Sequence, residues 1–326
     1  MSNFDRHASI KGHRKQHFVP VSYLKAWCDP EALKGQNPYV WIFDKEGANG
    51  RRKAPENIFH ETDMYTIKMP DGSRDIVIEH GLQQLESEFA NIRNRKLNKG
   101  RPLDQSEHLL LCAFIAAAHA RTRAMREHQR AQWGGLRQMM ERMIIWAETA
   151  TEQQKADAIS AMPLSHSEPG MDYEEVKSLC ESPLQNLLVP IVQTLTPLLF
   201  RLDLTIFETD DRIGFITSDN PCLWFDSEAH KRPPLYRAPG LAYESIEITL
   251  PVSPRHCICL NRRGLHGYIK ANALVVDELN KRTRFSAEEH FIVRSNETKP
   301  IWFKPTPKPD DSWNNSARKA ASDSQL

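Results

Sequence analysis

Four polar residues of this chain have the types and settings that chemistry on a phosphate requires: His17, Arg121, Asp219 and Asn220. His17 closes a basic stretch formed by Arg6, His7, Lys11, His13, Arg14 and Lys15, and it stands just ahead of Pro20, where the pattern predicts a helix start. An imidazole there can meet an anion at the helix entry or pass a proton near neutral pH. It can equally fix the entry by bonding backbone groups. Arg121 is the first strong charge after the apolar stretch Leu109 to Ala118. A guanidinium at the end of a buried helix needs a partner, either an ion pair with Glu79, Glu86 or Asp219, or a bidentate anion. His119 and Arg123 share the neighbouring helix surface. Asp219 lies in Ser218-Asp219-Asn220-Pro221, directly after a predicted strand. A carboxylate in that place can act as base or metal ligand with Asn220 to orient it, and the same four residues also make a strong turn.

Glu79 and Glu86 lie seven apart, which puts both on one helix face two turns from each other. Such a pair can hold a divalent metal ion or polarise a water, or it can border the core as a salt-bridged edge. Other chemistries have no motif: there is no phosphate-binding Walker loop, no G-x-G-x-x-G, no G-x-S-x-G, no H-E-x-x-H and no C-x-x-C. The Ser-Asp-Asn of penicillin-binding enzymes is present without its Ser-x-x-Lys and Lys-Thr-Gly companions. Cys257 and Cys259 face one side of a predicted strand, as core thiols do.

The elements that must place these residues follow from periodicity. Met1 to Gln16 shows none, so an extended arm is expected. Pro20 opens a short helix that buries Leu24, Trp27 and Cys28. Val40 to Phe43 reads as a strand, and a second near Met64 to Met69 ends in the turn Pro70-Asp71-Gly72. A long helix from about Asp75 carries Ile78, Leu82, Leu85, Phe89 and Ile92 on one face until Lys99-Gly100. Asp104 caps a second helix whose Leu109 to Ala118 segment is apolar nearly all round, which sends it through the centre of the fold. Its charged continuation, Arg121 to Arg142, has Gly134-Gly135 as a kink or boundary, and Thr149 to Glu175 reads as a weak helix and a loop. Leu184 to Phe200 is an apolar helix opened by Pro183 and interrupted by Pro190 and Pro197.

Beyond Arg201 the period shortens to that of strands: Leu204 to Phe207, Gly214 to Thr217, Ser245 to Leu250 and His256 to Leu260. Asp210-Asp211 marks a hairpin between the first two, Asn272 to Thr283 returns to helix, and His290 to Arg294 supplies another strand. The expected fold is α+β, long central helices packed on a mainly antiparallel sheet. It forms one domain over residues 1–303, helix-rich over 17–200 and sheet-rich over 201–303, with a disordered tail over 304–326.

A chain of 326 residues buries a core without disulfides, and its six cysteines are scattered, as expected of reduced thiols in a bacterial-type cytoplasm. The first residues carry no apolar leader, and no run reaches the roughly 18 apolar residues of a membrane span. The expected location is therefore cytoplasmic, away from membranes. With 43 basic against 42 acidic residues, the net charge of +1 argues against long nonspecific duplex binding and leaves only local basic patches.

The segment Lys15-Gln16-His17-Phe18-Val19-Pro20-Val21-Ser22-Tyr23-Leu24 resembles the opening motif of the bacterial domain-of-unknown-function family 4238, a basic residue followed by His-Phe/Tyr-Val-Pro-x-x-Tyr-Leu. The order of further elements is similar: Glu79 and Glu86 on a helix, Arg121-Thr122 on the next, Ser218-Asp219-Asn220-Pro221 after a strand, then Pro251-Val252-Ser253-Pro254. The resemblance runs from about Lys15 to Arg294, and it departs at Arg123, where the family often has Pro. It implies places to look and no activity.

The leading expectation is a hydrolase acting on a phosphate-bearing substrate, nuclease-like or a defence or toxin effector, with His17, Arg121 and Asp219 meeting between helices and sheet. The partner is then a phosphate-containing ligand or nucleic acid, and the cofactor a divalent metal ion at Glu79 and Glu86. The alternatives are a non-catalytic protein that binds an anionic ligand in the same pocket, and a structural or interaction protein in which these residues form an ion-pair scaffold.

Overall fold

A computed structural model of the chain describes residues 14–29, 32, 37–161 and 170–304. Most of the basic arm, the loop around Pro163 and Pro169, and the tail from residue 305 lie outside the described residues. The fold is α+β, as the periodicities predict.

The N-terminal half builds a helical layer bordered by short strands. β1 (Lys15–His17) is followed by α1 (Val21–Leu24), which Pro20 opens, β2 (Val40–Asp44), β3 (Arg51–Lys53), β4 (His60–Thr62), β5 (Ile67–Lys68) and β6 (Arg74–Asp75). β1 pairs antiparallel with β4 and sets His17 opposite His60; the arm thus ends in a strand that its sequence does not announce. The long α2 (Val77–Arg95) buries Ile78, Leu82, Phe89 and Ile92, as the spacing predicts. A short 3-10 turn and Gly100, with φ of +59°, end this run. α3 (Gln105–Ala120) starts with a reciprocal cap between Asp104 and Glu107, and it buries eight residues between Leu111 and Ala120 as the central helix.

Two expected interruptions are absent. α4 (Arg123–Thr149) continues through Gly134-Gly135 without a break. Each glycine costs about 1 kcal/mol against alanine, which a 27-residue helix sustains. After α5 (Glu152–Ala161) and α6 (Tyr173–Glu181), α7 (Pro183–Phe200) continues through Pro190 and Pro197 because its apolar side packs along α3 and holds it despite the lost hydrogen bonds. By length and composition alone α7 is apolar enough to cross a membrane.

The C-terminal half supplies β7 (Asp203–Glu208), β8 (Thr217–Ser218), β9 (Leu223–Asp226), β10 (Ile246–Ser253), β11 (His256–Asn261), β12 (Gly267–Lys270), α8 (Ala273–Ser286) and β13 (His290–Val293). The strands form two main sheets, one in the order β12-β7-β11-β10-β9 and one in the order β3-β2-β13-β8. All pairs are antiparallel except β12 with β7. The expected hairpin at Asp210-Asp211 does not form: β7 and β8 enter different sheets. Asp211 instead accepts the backbone N–H groups of Ile213 and Gly214 and turns the chain from one sheet to the other. Gly214 is required there, because its φ is +75° and a Cβ would stand 2.0 Å from the Pro254 carbonyl oxygen.

One hydrophobic core runs through both halves, from Phe18 and Val19 through Leu111 and Phe114 to Ile258 and Ile292. The opening motif sits at its junction. The Tyr23 hydroxyl donates to the Pro251 carbonyl and lies 2.8 Å from Thr217 Oγ1, while Trp27 Nε1 donates to the Phe215 carbonyl at 2.8 Å. All six cysteines are free thiols, and burial pushes those of Cys112, Cys222 and Cys259 up to about 12, consistent with packing rather than reactivity.

Candidate anion-binding site

Asp219 leaves β8 and turns back toward β13. Its Oδ1 accepts the Glu288 backbone N–H at 2.8 Å, and its Oδ2 accepts those of Glu289 at 2.7 Å and His290 at 2.9 Å. Only 5% of the residue is exposed. Burial pushes this carboxyl above its usual range against the pull of the three N–H groups. Asn220 completes the brace: its Nδ2 donates to the Ser286 carbonyl at 3.2 Å, and its N–H donates to Ser218 Oγ at 3.1 Å. Ser218 to Pro221 is therefore a turn that clamps the connection between α8 and β13. Three of the roughly four lone-pair sites of its carboxylate are already occupied.

That clamp forms one wall of a polar cleft of about 220 Å³, lined among others by Phe18, Arg51, Lys53, Arg123, Asp219 and His290. Arg51 and Lys53 come from the edge strand β3, Arg123 from the first turn of α4, and His290 from the start of β13. Arg51 Nη2 lies 3.0 Å from His290 Nε2 and 3.6 Å from Asp44. Arg123 Nε pairs with Glu61 at 2.6 Å, its Nη1 lies 3.6 Å from Glu289, and its guanidinium stands 4.9 Å from the Phe18 ring centre. Burial pushes the Glu61 carboxyl up, but Arg126 and Arg123 outweigh it and hold it below the usual carboxylate range. Lys53 is exposed, and its ammonium has no hydrogen bond or ion pair among the described residues.

The other predicted residues sit apart from this cleft. His17 does not line it; its Nε2 is 3.3 Å from the Glu56 carbonyl and its ring packs edge-on against His60 at 5.3 Å. Burial brings this imidazole down to about 4, so it is neutral at pH 7. Arg121 is 1% exposed and donates from Nη1 to Glu86 at 2.7 Å, which selects the ion pair among its expected partners. Its Nε and Nη2 are buried without a hydrogen-bond partner among the described residues, with the Phe114 ring 5.9 Å away. Sealed in this way, Arg121 has no face for a diffusing anion. No hydrogen bond or ion pair joins any two of His17, Arg121 and Asp219 among the described residues.

Glu86 is committed to Arg121, and Glu79 accepts from Gln83 Nε2 at 3.2 Å. Among the described residues no three His, Cys, Asp or Glu side chains form a group able to hold a metal ion. The two carboxylates are thus placed as partners of protein groups.

A family model described as "Protein of unknown function (DUF4238)" matches residues 15–298. The chain belongs to this family. No curated protein and no solved structure matches it. In this DUF4238 chain three of the five elements of the resemblance meet at the cleft: Phe18 of the opening motif, Arg123 next to Arg121-Thr122, and Asp219 of Ser-Asp-Asn-Pro all border it. Sequence reasoning missed Arg51, Lys53 and His290. The basic run Arg51-Arg52-Lys53 was visible after the Asp44 to Gly50 turn, but only the pairing of β2 with β3 and β13 puts it beside His290.

Proposed function

We propose that this protein binds a phosphate-bearing ligand in the cleft between β3, the start of α4 and the 288–290 connection. The observation that carries the reading is Lys53, an exposed cation without a counter-ion among the described residues, standing with Arg51 and Arg123 in one cleft. The acids that line it are already engaged, Asp219 by three N–H groups and Glu289 beside Arg123. An added anion therefore meets uncompensated positive charge, and guanidinium groups suit phosphate geometry. If the bound ligand is turned over, His290 is the acid or base that the cleft offers, since His17 lies outside the lining.

The test is thermal unfolding of the full chain with pyrophosphate or ATP, beside equal ionic strength of chloride. A ligand at a hundred times its Kd adds about 2.7 kcal/mol of stability. Stabilisation by the phosphates alone, lost in Lys53→Glu and Arg51→Ala, supports the reading; equal responses to chloride overturn it. Release of inorganic phosphate that disappears in His290→Gln separates turnover from binding.

A further inference from the structure

A second cavity, of about 410 Å³, lies between the start of α3, the end of α7 and the strands β7 and β12, and it shares no lining residue with the polar cleft. Its walls are apolar and partly aromatic: Leu103, Phe200, Leu204, Ile206 and Tyr268. Leu204 and Ile206 alternate onto one face of β7, and the parallel pairing of β12 sets Tyr268 beside Ile206. His108, one turn after the Asp104 cap of α3, completes the lining with its ring 4.7 Å from that of Phe200. Its Nε2 is buried without a hydrogen-bond partner among the described residues, which leaves Nδ1 as the nitrogen that a molecule in the cavity can meet. Burial alone lowers the pKa of this imidazole, so the ring is neutral at pH 7.

We propose that this cavity binds a small uncharged phenol, its ring against Phe200 and Tyr268 and its hydroxyl on His108. Buried polar groups are ordinarily paired, so an unpaired imidazole in an apolar wall is where a ligand supplies the bond. The neighbouring polar groups are engaged: the Tyr268 hydroxyl donates to the Arg101 carbonyl at 2.9 Å, and the Asp104 carboxylate accepts from the Ser106 hydroxyl at 2.7 Å and the Glu107 N–H at 2.9 Å. That carboxylate is the one charged group among the described lining residues, and Lys96, whose charge reaches it, is paired with Glu107 at 3.1 Å. An anionic ligand is therefore disfavoured, and the apolar walls penalise any charge left unpaired. The aromatic walls suit a flat ring. A hydroxyl both donates and accepts, so it meets the neutral imidazole in either tautomer.

Titration calorimetry of the full chain at neutral pH with 4-ethylphenol, ethylbenzene and 4-ethylbenzoate tests this. Saturable binding of 4-ethylphenol is expected, with the benzoate about tenfold weaker or more. His108→Phe keeps a ring beside Phe200 and removes the nitrogens, so the ratio of 4-ethylphenol to ethylbenzene affinity should fall by about tenfold, the upper range for one hydrogen bond. Leu204→Trp fills the cavity and abolishes binding of both. In nitrogen-15 spectra of the wild type the His108 Nδ1 signal shifts as 4-ethylphenol is added, a readout that depends on no variant. No saturable binding, an unchanged ratio in a His108→Phe protein of native circular dichroism, tighter binding of the benzoate, or an unmoved His108 signal overturns the proposal.

Discussion

The Asp219 carboxylate accepts the backbone N–H of Glu288 at 2.8 Å, and the next residue, Glu289, lies 3.6 Å from Arg123 Nη1 at the start of α4. Burial and the neighbouring Asp219 charge both push the Glu288 carboxyl upward, so two acids are held close together where the sheet meets the helix. The family's Ser-Asp-Asn-Pro and Arg-Thr elements are thereby parts of one brace.

Asp219→Ala leaves three partly buried N–H groups without an acceptor. At the lower end of about 1–3 kcal/mol for each orphaned group, because water reaches partly buried donors, a loss of roughly 2–3 kcal/mol is expected in urea unfolding. Asp219→Asn keeps one oxygen and falls between. An Ala variant as stable as wild type would show that water replaces the carboxylate.

Glu86→Leu strands the buried Arg121 guanidinium and is expected to cost about 3–5 kcal/mol. The double variant Arg121→Met with Glu86→Leu recovers most of this, because neither charge then remains to be desolvated. A double-variant cycle by chemical denaturation measures the coupling; additive losses would contradict the pairing.

Arg123→Pro introduces the residue that the resemblance implies after Arg-Thr. Arg123 is the first residue of α4, after the Thr122 cap, where proline's fixed φ and missing N–H are tolerated. Helix stability should change by less than about 1 kcal/mol. The ion pairs to Glu61 and Glu289 vanish, and with them part of the cleft's positive charge, so pyrophosphate binding should weaken in titration calorimetry.

Burial brings His119 down to about 4, with His128 adding repulsion, while its ring stacks 4.8 Å from that of Trp224. An unfolded histidine titrates near 6.5, so the folded state binds fewer protons between the two values. Its stabilising effect is complete above about pH 6.5 and is lost as pH falls toward 4. His119→Phe keeps a stacked ring without the titration. Its unfolding free energy should fall less than that of wild type over this window; parallel curves would show that His119 already protonates in the fold.

The helices were legible because apolar spacing is a local property. Ile78, Leu82, Phe89 and Ile92 declare α2, and Asp104 with Glu107 declares the start of α3. The sheets were only partly legible. β8 is two residues long and β3 is wholly exposed, so neither carries an alternating pattern; β8 is placed by β13, more than 70 residues away, and β3 by its hairpin with β2, which β13 joins to the rest of the sheet. The candidate site failed in the same way. Asp219 drew notice through its motif, whereas Lys53 and His290 reach the cleft only through strand pairing.

The Tyr23 hydroxyl finds its partners 194 and 228 positions further along the chain, at Thr217 and Pro251. At a synthesis rate of about 5–20 residues per second, these anchors emerge roughly 10–45 s after Tyr23 does. During that interval Phe18, Val19, Tyr23, Leu24 and Trp27, all buried in the finished fold, have no sheet to cover them. The motif at the front of the protein is thus completed by its last third, and a ribosome-bound fragment ending near residue 200 should hold a sticky, protease-sensitive leading segment that becomes protected only when β8 and β10 arrive.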